Sequence, residues 1–497
     1  MLSKGGTIAP SRRLAGPSLE DRALEESPKV ATSMTELLTA LDGICGVEDG
    51  RFMVHDEARM RYEGIRTLAW SATFAEDHPD VVEAARWMGW EASQALGAPS
   101  ASIHDLYMAR GRGEVAGFTV PAVNLRTQVF DMAAAMCRAA RSIDAGAIIF
   151  ELARSEQEYT FQRPGEFITN VLAGCISESW QGPVFVQGDH YQFNAKKYGA
   201  DAESTAEAIR SLTREALAVG YGNIDIDSST LVDLSFETVD EQQRVNYQRA
   251  AEIAALIRDR EPSGLTVSIG GEIGEVGKQN STEEELRAYL EGFRRDLSVA
   301  AGETAVGLSK VSVQTGTSHG GIPLPGGGVA EVSLDFGTLE RLSAVCREYG
   351  MAGAVQHGAS TLPDELFHRF PEVEAAEIHL ATGFQNLLYE HPAFPADLRA
   401  EVGDWCRMNT ADERKEGESD DVFLYKTRKK ALGPFKRRMW DLPRKDEILA
   451  AQEAKFRFLF EQLGVAGSHQ MVARYVQAPR RSRPVPASLD GVASRAG

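Results

Sequence analysis

The feature that most constrains how this chain can fold is a rhythm. From about residue 120 onward, short β-rich runs alternate with longer helical stretches. The runs are VPAVN (120–124), AIIFEL (147–152), PVFVQGD (183–189), NIDID (223–227), LTVSIGGE (265–272), KVSVQTG (310–316), GAVQHG (353–358) and AEIHLAT (376–382). Between them, segments such as STAEAIRSLTREALAVG and TEEELRAYLEGFRRDL carry helical periodicity, and the second opens with a capping box, Thr282 with Glu285 three positions on. Eight strands alternating with helices over about 260 residues predict a (β/α)8 TIM barrel. A doubly wound open sheet is the competing architecture, but the first run lacks the glycine fingerprint that dinucleotide binding requires.

The flanks read differently. Residues 1–32 mix Gly, Pro, Ser and both charges without periodicity and are expected to be disordered. Residues 33–115 read as a helical extension, with Val81, Ala84, Ala85 and Met88 at helix spacing. The barrel is assigned to 116–390. A C-terminal extension over 391–477 joins an acidic stretch (412–421) to a basic one (425–440) and then to a helix, and 478–497 reads as a loose tail.

Composition narrows the function. A formal net charge of −19 argues against a whole-surface nucleic-acid binder. It leaves small anionic substrates open, because a local field in a cleft can oppose the global sign. The five cysteines (Cys45, Cys137, Cys175, Cys346, Cys406) form no CxxC, which suits a reducing compartment and supplies no thiolate metal site. No apolar run is long enough to span a bilayer, and Arg12 and Arg13 precede no apolar leader segment. A cytoplasmic protein with no membrane partner is expected.

Chemistry concentrates where the runs end. In PVFVQGDHYQF, three apolar residues lead straight into Asp189 and His190. Asp227 and Glu272 end the fourth and fifth runs, His319 follows the sixth, and His357 lies at the end of the seventh. Barrel active sites are built at the C-terminal rim, so these six side chains are expected to converge there, the apolar run forming the wall and the polar pair the mouth. Imidazoles with carboxylates suit Zn2+ or a similar divalent ion, and three histidines with positions left open describe a catalytic site. Any one histidine alone reads better as satisfying a local backbone group; it is three on one rim, each flanked by glycine or acid, that point to a metal. His55, His78, His104, His368, His391 and His469 lack such company and are read as surface or core residues. Glycine follows both His319 and His357 directly, as Gly320 and Gly358, and Ser360 adds a hydroxyl. Glycines let backbone N–H groups approach an anion, although a plain βα turn favours them too.

QGDH, IDSS, GGEIGEVG, GTSHGG and HGASTLPDE, in that order, together resemble the class II, metal-dependent ketose-bisphosphate aldolases, over about 120–390 and more faintly to 465. The resemblance implies a (β/α)8 barrel and a zinc-dependent lyase that cleaves a phosphorylated ketose such as fructose or tagatose 1,6-bisphosphate. It implies His190, His319 and His357 as zinc ligands and Glu272 as a carboxylate that can also reach the metal. Asp189 becomes the acid/base at the substrate's C4 hydroxyl, and Asp227 a support for the site and for a second, monovalent cation. Gly320, Gly358 and Ser360 match a phosphate cradle, with Thr382 retained from the family's eighth-strand motif. PAVN (121–124) resembles the family's first-strand PAFN. FKRRMW resembles a DPRxW segment whose arginine reaches the far phosphate of a neighbouring subunit, which implies Arg438 as a substrate contact and a homo-oligomer. The bland reading of the same basic stretch is a solvated surface.

The chain departs from the family pattern at defined positions. Glu377, His379 and Gly383 stand where the eighth-strand motif has Lys, Asn and Asp, and Asn280 stands where a mobile-loop glutamate would be. An amide cannot exchange a proton as a carboxylate does. His379 would then either replace a phosphate contact or fill the pocket. The expectation is an aldolase-type lyase on a phosphorylated sugar. The alternatives are a relative with a different donor or acceptor, and a catalytically silent sugar-phosphate-binding barrel. No Schiff-base lysine ends a predicted strand; Lys310 begins one.

Overall fold

The computed structural model describes residues 28–274, 279–316 and 334–489. Eight parallel strands close on themselves: β1 (Val120–Asn124), β2 (Ile149–Ala153), β3 (Val184–Gln192), β4 (Asn223–Asp227), β5 (Ser268–Glu272), β6 (Lys310–Val313), β7 (Ala354–Gln356) and β8 (Glu377–Leu380). Consecutive strands pair in order, and β8 pairs with β1 to seal the ring. The expected (β/α)8 barrel is the observed fold. The capping box at Thr282 forms as read, with Thr282 Oγ1 accepting from the Glu285 N–H and Glu285 returning to Thr282 N.

Period-two alternation sends one residue of each pair inward. Gln187 and Asp189, Asp225 and Asp227, Lys310 and Ser312, and Glu377 and His379 are two apart on their strands, all buried and all polar. The apolar residues that alternate with them, such as Val186, Ile226, Val311 and Ile378, face the surrounding helices and form part of the main core. The barrel is therefore greasy outside its wall and charged within.

The N-terminal extension is helical apart from a hairpin, Cys45–Glu48 with Arg51–Val54, and a two-residue strand, Ser100–Ala101, that pairs with the start of β3. Its helix Ile65–Phe74 brings Trp70 and Phe74 onto Trp440 of the C-terminal extension, with ring centroids 4.8 and 5.3 Å apart. Trp70 also meets Phe130 of the barrel helix Val129–Ser142 at 5.4 Å, so edge-to-face aromatic contacts staple both extensions to the barrel. The segment read as a loose tail is packed as far as Leu489. The indole N–H groups of Trp87 and Trp90 donate to the carbonyls of Arg483 and Arg481, and the Arg483 guanidinium lies 3.6 Å from the Trp90 ring centroid. A polar, Pro-rich composition does not reveal two tryptophans waiting to anchor it.

The β3–β4 register slips between Gly188 and Tyr191. A Cβ at Gly188 would lie 2.5 Å from the buried Tyr191 ring, so the bulge leaves no room there for a side chain. Gly188→Ala is expected to lower stability by about 1–3 kcal/mol through overpacking; an unchanged denaturation midpoint would contradict this packing.

Candidate metal and substrate site

The β3 bulge makes the site. Regular alternation would point Asp189 and His190 to opposite faces. Instead His190 adopts φ +41°, a left-handed conformation costing on the order of 1–3 kcal/mol for a non-glycine residue. Both side chains consequently reach the mouth, His190 Nε2 lying 3.8 Å from Asp189 Oδ1.

Around His190 the strand ends close in. Its Nδ1 lies 3.2 Å from Asp227 Oδ2 and 3.2 Å from Glu272 Oε2. The His190 and His357 ring centroids are 4.1 Å apart, and His357 Nδ1 lies 3.7 Å from Glu272 Oε1. Asp189, His190 and His357 offer donor atoms within 4.8 Å of one another, and so do His190, Asp227 and Glu272. Five of the six rim residues expected from the sequence thus converge. His319, with Gly320, lies outside the described residues.

The electrostatics suit a cation. Burial raises the Glu272 carboxyl, and the Asp227 charge raises it further, to about 7. Burial disfavours a charged His190, but Asp189 and Glu272 outweigh it and hold the ring well above the ordinary histidine range. Asp189 moves down despite burial, because His190 and His379 stabilise its charge. Three carboxylates crowd two imidazoles, and a proton on His190 relieves the congestion. A divalent ion binding imidazole and carboxylate together would do the same, so the donor set fits one.

Below the rim lies a network that the strand-end pattern did not reveal. Lys310 Nζ donates to Gln187 Oε1 at 2.9 Å, to Asp225 Oδ2 at 3.0 Å and to Glu377. Gln187 Nε2 donates to Glu151 and Glu377, both at 2.8 Å. Burial opposes charge on Lys310, but Asp225 and Glu377 hold its pKa above the ordinary range. A lysine so engaged is a counter-ion, not a nucleophile. His379 belongs to the same network: Nδ1 lies 3.1 Å from Asp189 Oδ1 and Nε2 2.7 Å from Glu377 Oε1. Both ring nitrogens face carboxylates of the protein, so His379 fills the pocket floor and braces Asp189, and neither nitrogen is turned to a substrate phosphate. Asn124 braces the other oxygen, its Nδ2 donating to Asp189 Oδ2 at 2.9 Å.

Above Asp189 opens a cavity of about 430 Å3 whose lining includes His190, His357, Gly358, Ser360, His379 and Thr382. Gly383 N donates to Ser360 Oγ at 3.1 Å, and a Cβ at Gly383 would lie 2.4 Å from the Ser360 carbonyl oxygen, which explains why no acidic side chain stands there. Asn280 is outside this lining and donates to Asp335 at 3.2 Å. Arg438 is an exposed partner of Glu401, also off the lining, so a substrate role for it requires a second copy of the chain. The reading of residues missed Arg126, Glu156, Tyr159 and Lys429, which also line the cavity. Arg126 lies two residues past the end of β1, after Leu125, a signal too generic to single out.

The family profile described as fructose-bisphosphate aldolase class-II matches residues 112–431, and the chain belongs to that family. Solved structures are similar to the chain at low identity. The fructose-bisphosphate aldolase of Campylobacter jejuni is 18% identical, with 75% of this chain and 97% of that one covered and a TM-score of 0.43. A probable tagatose 6 phosphate kinase of Sinorhizobium meliloti is 18% identical, with coverage of 75% and 98% and a TM-score of 0.48. The fructuronate-tagaturonate epimerase of Cohnella laeviribosi is 12% identical, with coverage of 70% and 82% and a TM-score of 0.50. No curated protein matches the chain.

Two outcomes follow from the charges. Zn2+ competes with the proton that the acids hold on His190, so apparent affinity should weaken as the pH is lowered, about tenfold per unit for each proton displaced. Titration against a competing chelator at pH 6 and pH 8 reads this directly, and equal affinities would contradict it. Lys310→Met leaves Asp225 and Glu377 facing each other with His379 as their remaining cation and should cost about 3–5 kcal/mol in denaturant unfolding; a smaller loss than that of a surface lysine variant would show the network to be dispensable.

Proposed function

We propose that the chain is a divalent-metal-dependent aldolase-type lyase that breaks or forms a carbon–carbon bond in a phosphorylated ketose. The observation that carries this reading is the Asp189 carboxylate, held ionised and fixed from two sides directly beside His190 and His357. His190, His357 and Glu272 would hold the ion, with His319 as the third imidazole and Asp227 as support. When bound, the ion supplies Lewis-acid stabilisation of the negative charge that develops as the bond breaks.

The chain's own residues do the rest. Asp189 accepts the proton of the C4 hydroxyl; the O–H electrons become the new carbonyl, the C3–C4 bond breaks, and its electron pair passes to the ketose fragment as an enediolate. Asn124 and His379 fix the carboxylate, each leaving its oxygen a further lone pair for the substrate. Ser360, Gly358 and Thr382 face the same cavity and suit a phosphate group. Burial of the strand-end carboxylates restricts water around the carbanion equivalent.

A second reading keeps the chemistry and changes the substrate. It is favoured by His379, Gly383 and Asn280, which replace the groups expected to contact the substrate carbonyl, its phosphate and the enediol proton. Among the described residues no helix is long and apolar enough to cross a membrane, and all five thiols are free and buried, which suits a reducing cytoplasm.

The test is cleavage of fructose 1,6-bisphosphate and a panel of other phosphoketoses, with and without chelator. Asp189→Ala should retain metal and fold and lose about 10²–10⁴-fold in turnover, the usual worth of a positioned acid–base group. A full rate in that variant would remove Asp189 from the mechanism.

A further inference from the structure

One reading of the basic stretch is a solvated face, and within Arg428–Lys429–Lys430 the flanking charges are both paired with acids, although the Arg428 side chain is only 15% exposed. Arg428 pairs with Glu390 at 2.7 Å, and Lys430 pairs with Glu413. The middle residue turns the other way. Lys429 lines the cavity above Asp189, with its ammonium 5.8 Å from the centroid of the Tyr159 ring.

Its backbone is held there from both sides. The Arg428 carbonyl accepts from Tyr389 Oη at 3.0 Å on the helix that follows β8. Gly433 N donates to the Tyr159 carbonyl at 3.0 Å on the helix Arg154–Thr160 that follows β2. Lys436 Nζ donates to the Phe161 carbonyl at 2.9 Å and pairs with Glu166 at 2.6 Å. The C-terminal extension is thus clamped over the barrel rim, and it delivers a cation to the mouth within the same chain.

The local charges do not balance. Arg126 is committed to Glu156, with Nε to Oε1 at 2.6 Å, and reaches toward Thr382 Oγ1 at 3.5 Å. Glu156 spends its other oxygen on Asn124 at 2.9 Å and Ala153 N at 3.1 Å. Lys429 has no ion-pair partner among the described residues, and Glu158, also on the lining, is exposed. Burial, and after it the nearby Arg126, pushes the Lys429 ammonium below its ordinary pKa against the opposing pull of Glu156. Lys429 is therefore left as an unpaired, partly buried cation on the lining that Thr382 and Ser360 share.

We propose that Lys429, with Arg126, forms an anion subsite that binds the phosphate or carboxylate end group of the substrate, and that the C-terminal extension completes the substrate site in cis. The subsite rests on the reading of this cavity as the substrate site, and it names what that site selects: a sugar carrying a terminal anion.

The experiment is calorimetric titration of the full-length protein with inorganic phosphate and, separately, with a hexuronate, so that it needs no turnover. Wild type should bind at least one of them. Lys429→Met should bind about ten- to a hundred-fold more weakly, the worth of a charged hydrogen bond, at an unchanged melting temperature. Lys429→Arg should restore most of the loss, and Lys430→Met, whose partner is Glu413 on the surface, should match wild type. Phosphate as the preferred anion supports the subsite together with the phosphoketose reading. Lys429-dependent binding of hexuronate alone supports the subsite while overturning that reading. Equal binding by wild type and Lys429→Met, or no binding of either anion by wild type, overturns the subsite itself.

Discussion

The site depends on how the barrel neutralises its own interior. Glu151, Asp189, Asp225 and Glu377 enter a space with little water, and a buried carboxylate is costly unless it is paired. Lys310 enters from β6 and His379 from β8 to meet them. Lys310 draws the Glu377 carboxyl down to about 2 against the opposing effect of burial, while Glu151, with His379 as its nearest cation, is driven the other way by burial. One carboxylate is thus held charged and another is pushed toward neutrality. That division allows Asp189, one layer higher, to remain ionised at the mouth. The N-terminal extension enters the same network, since Tyr107 Oη donates to Glu377. A segment with no chemistry of its own thereby satisfies the floor of the site.

The mouth is bought with backbone strain. A strand that alternated faithfully could present Asp189 or His190 inward, never both. The slip after Gly188 and the left-handed His190 present both, and the apolar wall of Val184, Phe185 and Val186 below them is rigid enough to hold the distortion. Strain of this kind persists where the surroundings over-determine it. Here they do: the Asp227 and Glu272 carboxylates take His190 Nδ1, and Asn124 and His379 take the two oxygens of Asp189.

The barrel was legible because its strands obey two simple rules, burial of one face and polar termination at one rim. VPAVN and NIDID coincide with β1 and β4 to the residue, and the other runs differ from their strands by a few residues at the ends, where hydrogen bonding frays. The rim residues were legible for the same reason, since position in a barrel strand fixes direction. What escaped was anything whose meaning comes from a partner distant in sequence. Lys310 at the start of a strand gives no hint that it reaches Glu377 across the barrel. Lys429 is indistinguishable from Lys430 until the chain folds and turns one inward and the other out. The tail looked loose because its anchors, Trp87 and Trp90, lie almost four hundred residues earlier. His379 kept two readings open until its ring nitrogens were seen to face Asp189 and Glu377.

The charge distribution ties these observations to the kind of ligand the cavity can admit. A chain carrying a net charge of −19 repels an anionic sugar at long range, although salt confines that repulsion to roughly 8–10 Å. Inside the cavity the sign changes with height. The floor is acidic and holds its excess charge against imidazole and ammonium. The lining above it carries Arg126, Arg154, Lys197 and Lys429. An anion is thus drawn to the upper lining and kept away from the carboxylates, which remain free to take a cation and a proton. A ligand that bridges the two levels must be negative at one end and rich in hydroxyl or carbonyl oxygens at the other. The description fits the proposed sugar with a terminal acid group, which would give Lys429 a partner that a neutral sugar of the same size would not.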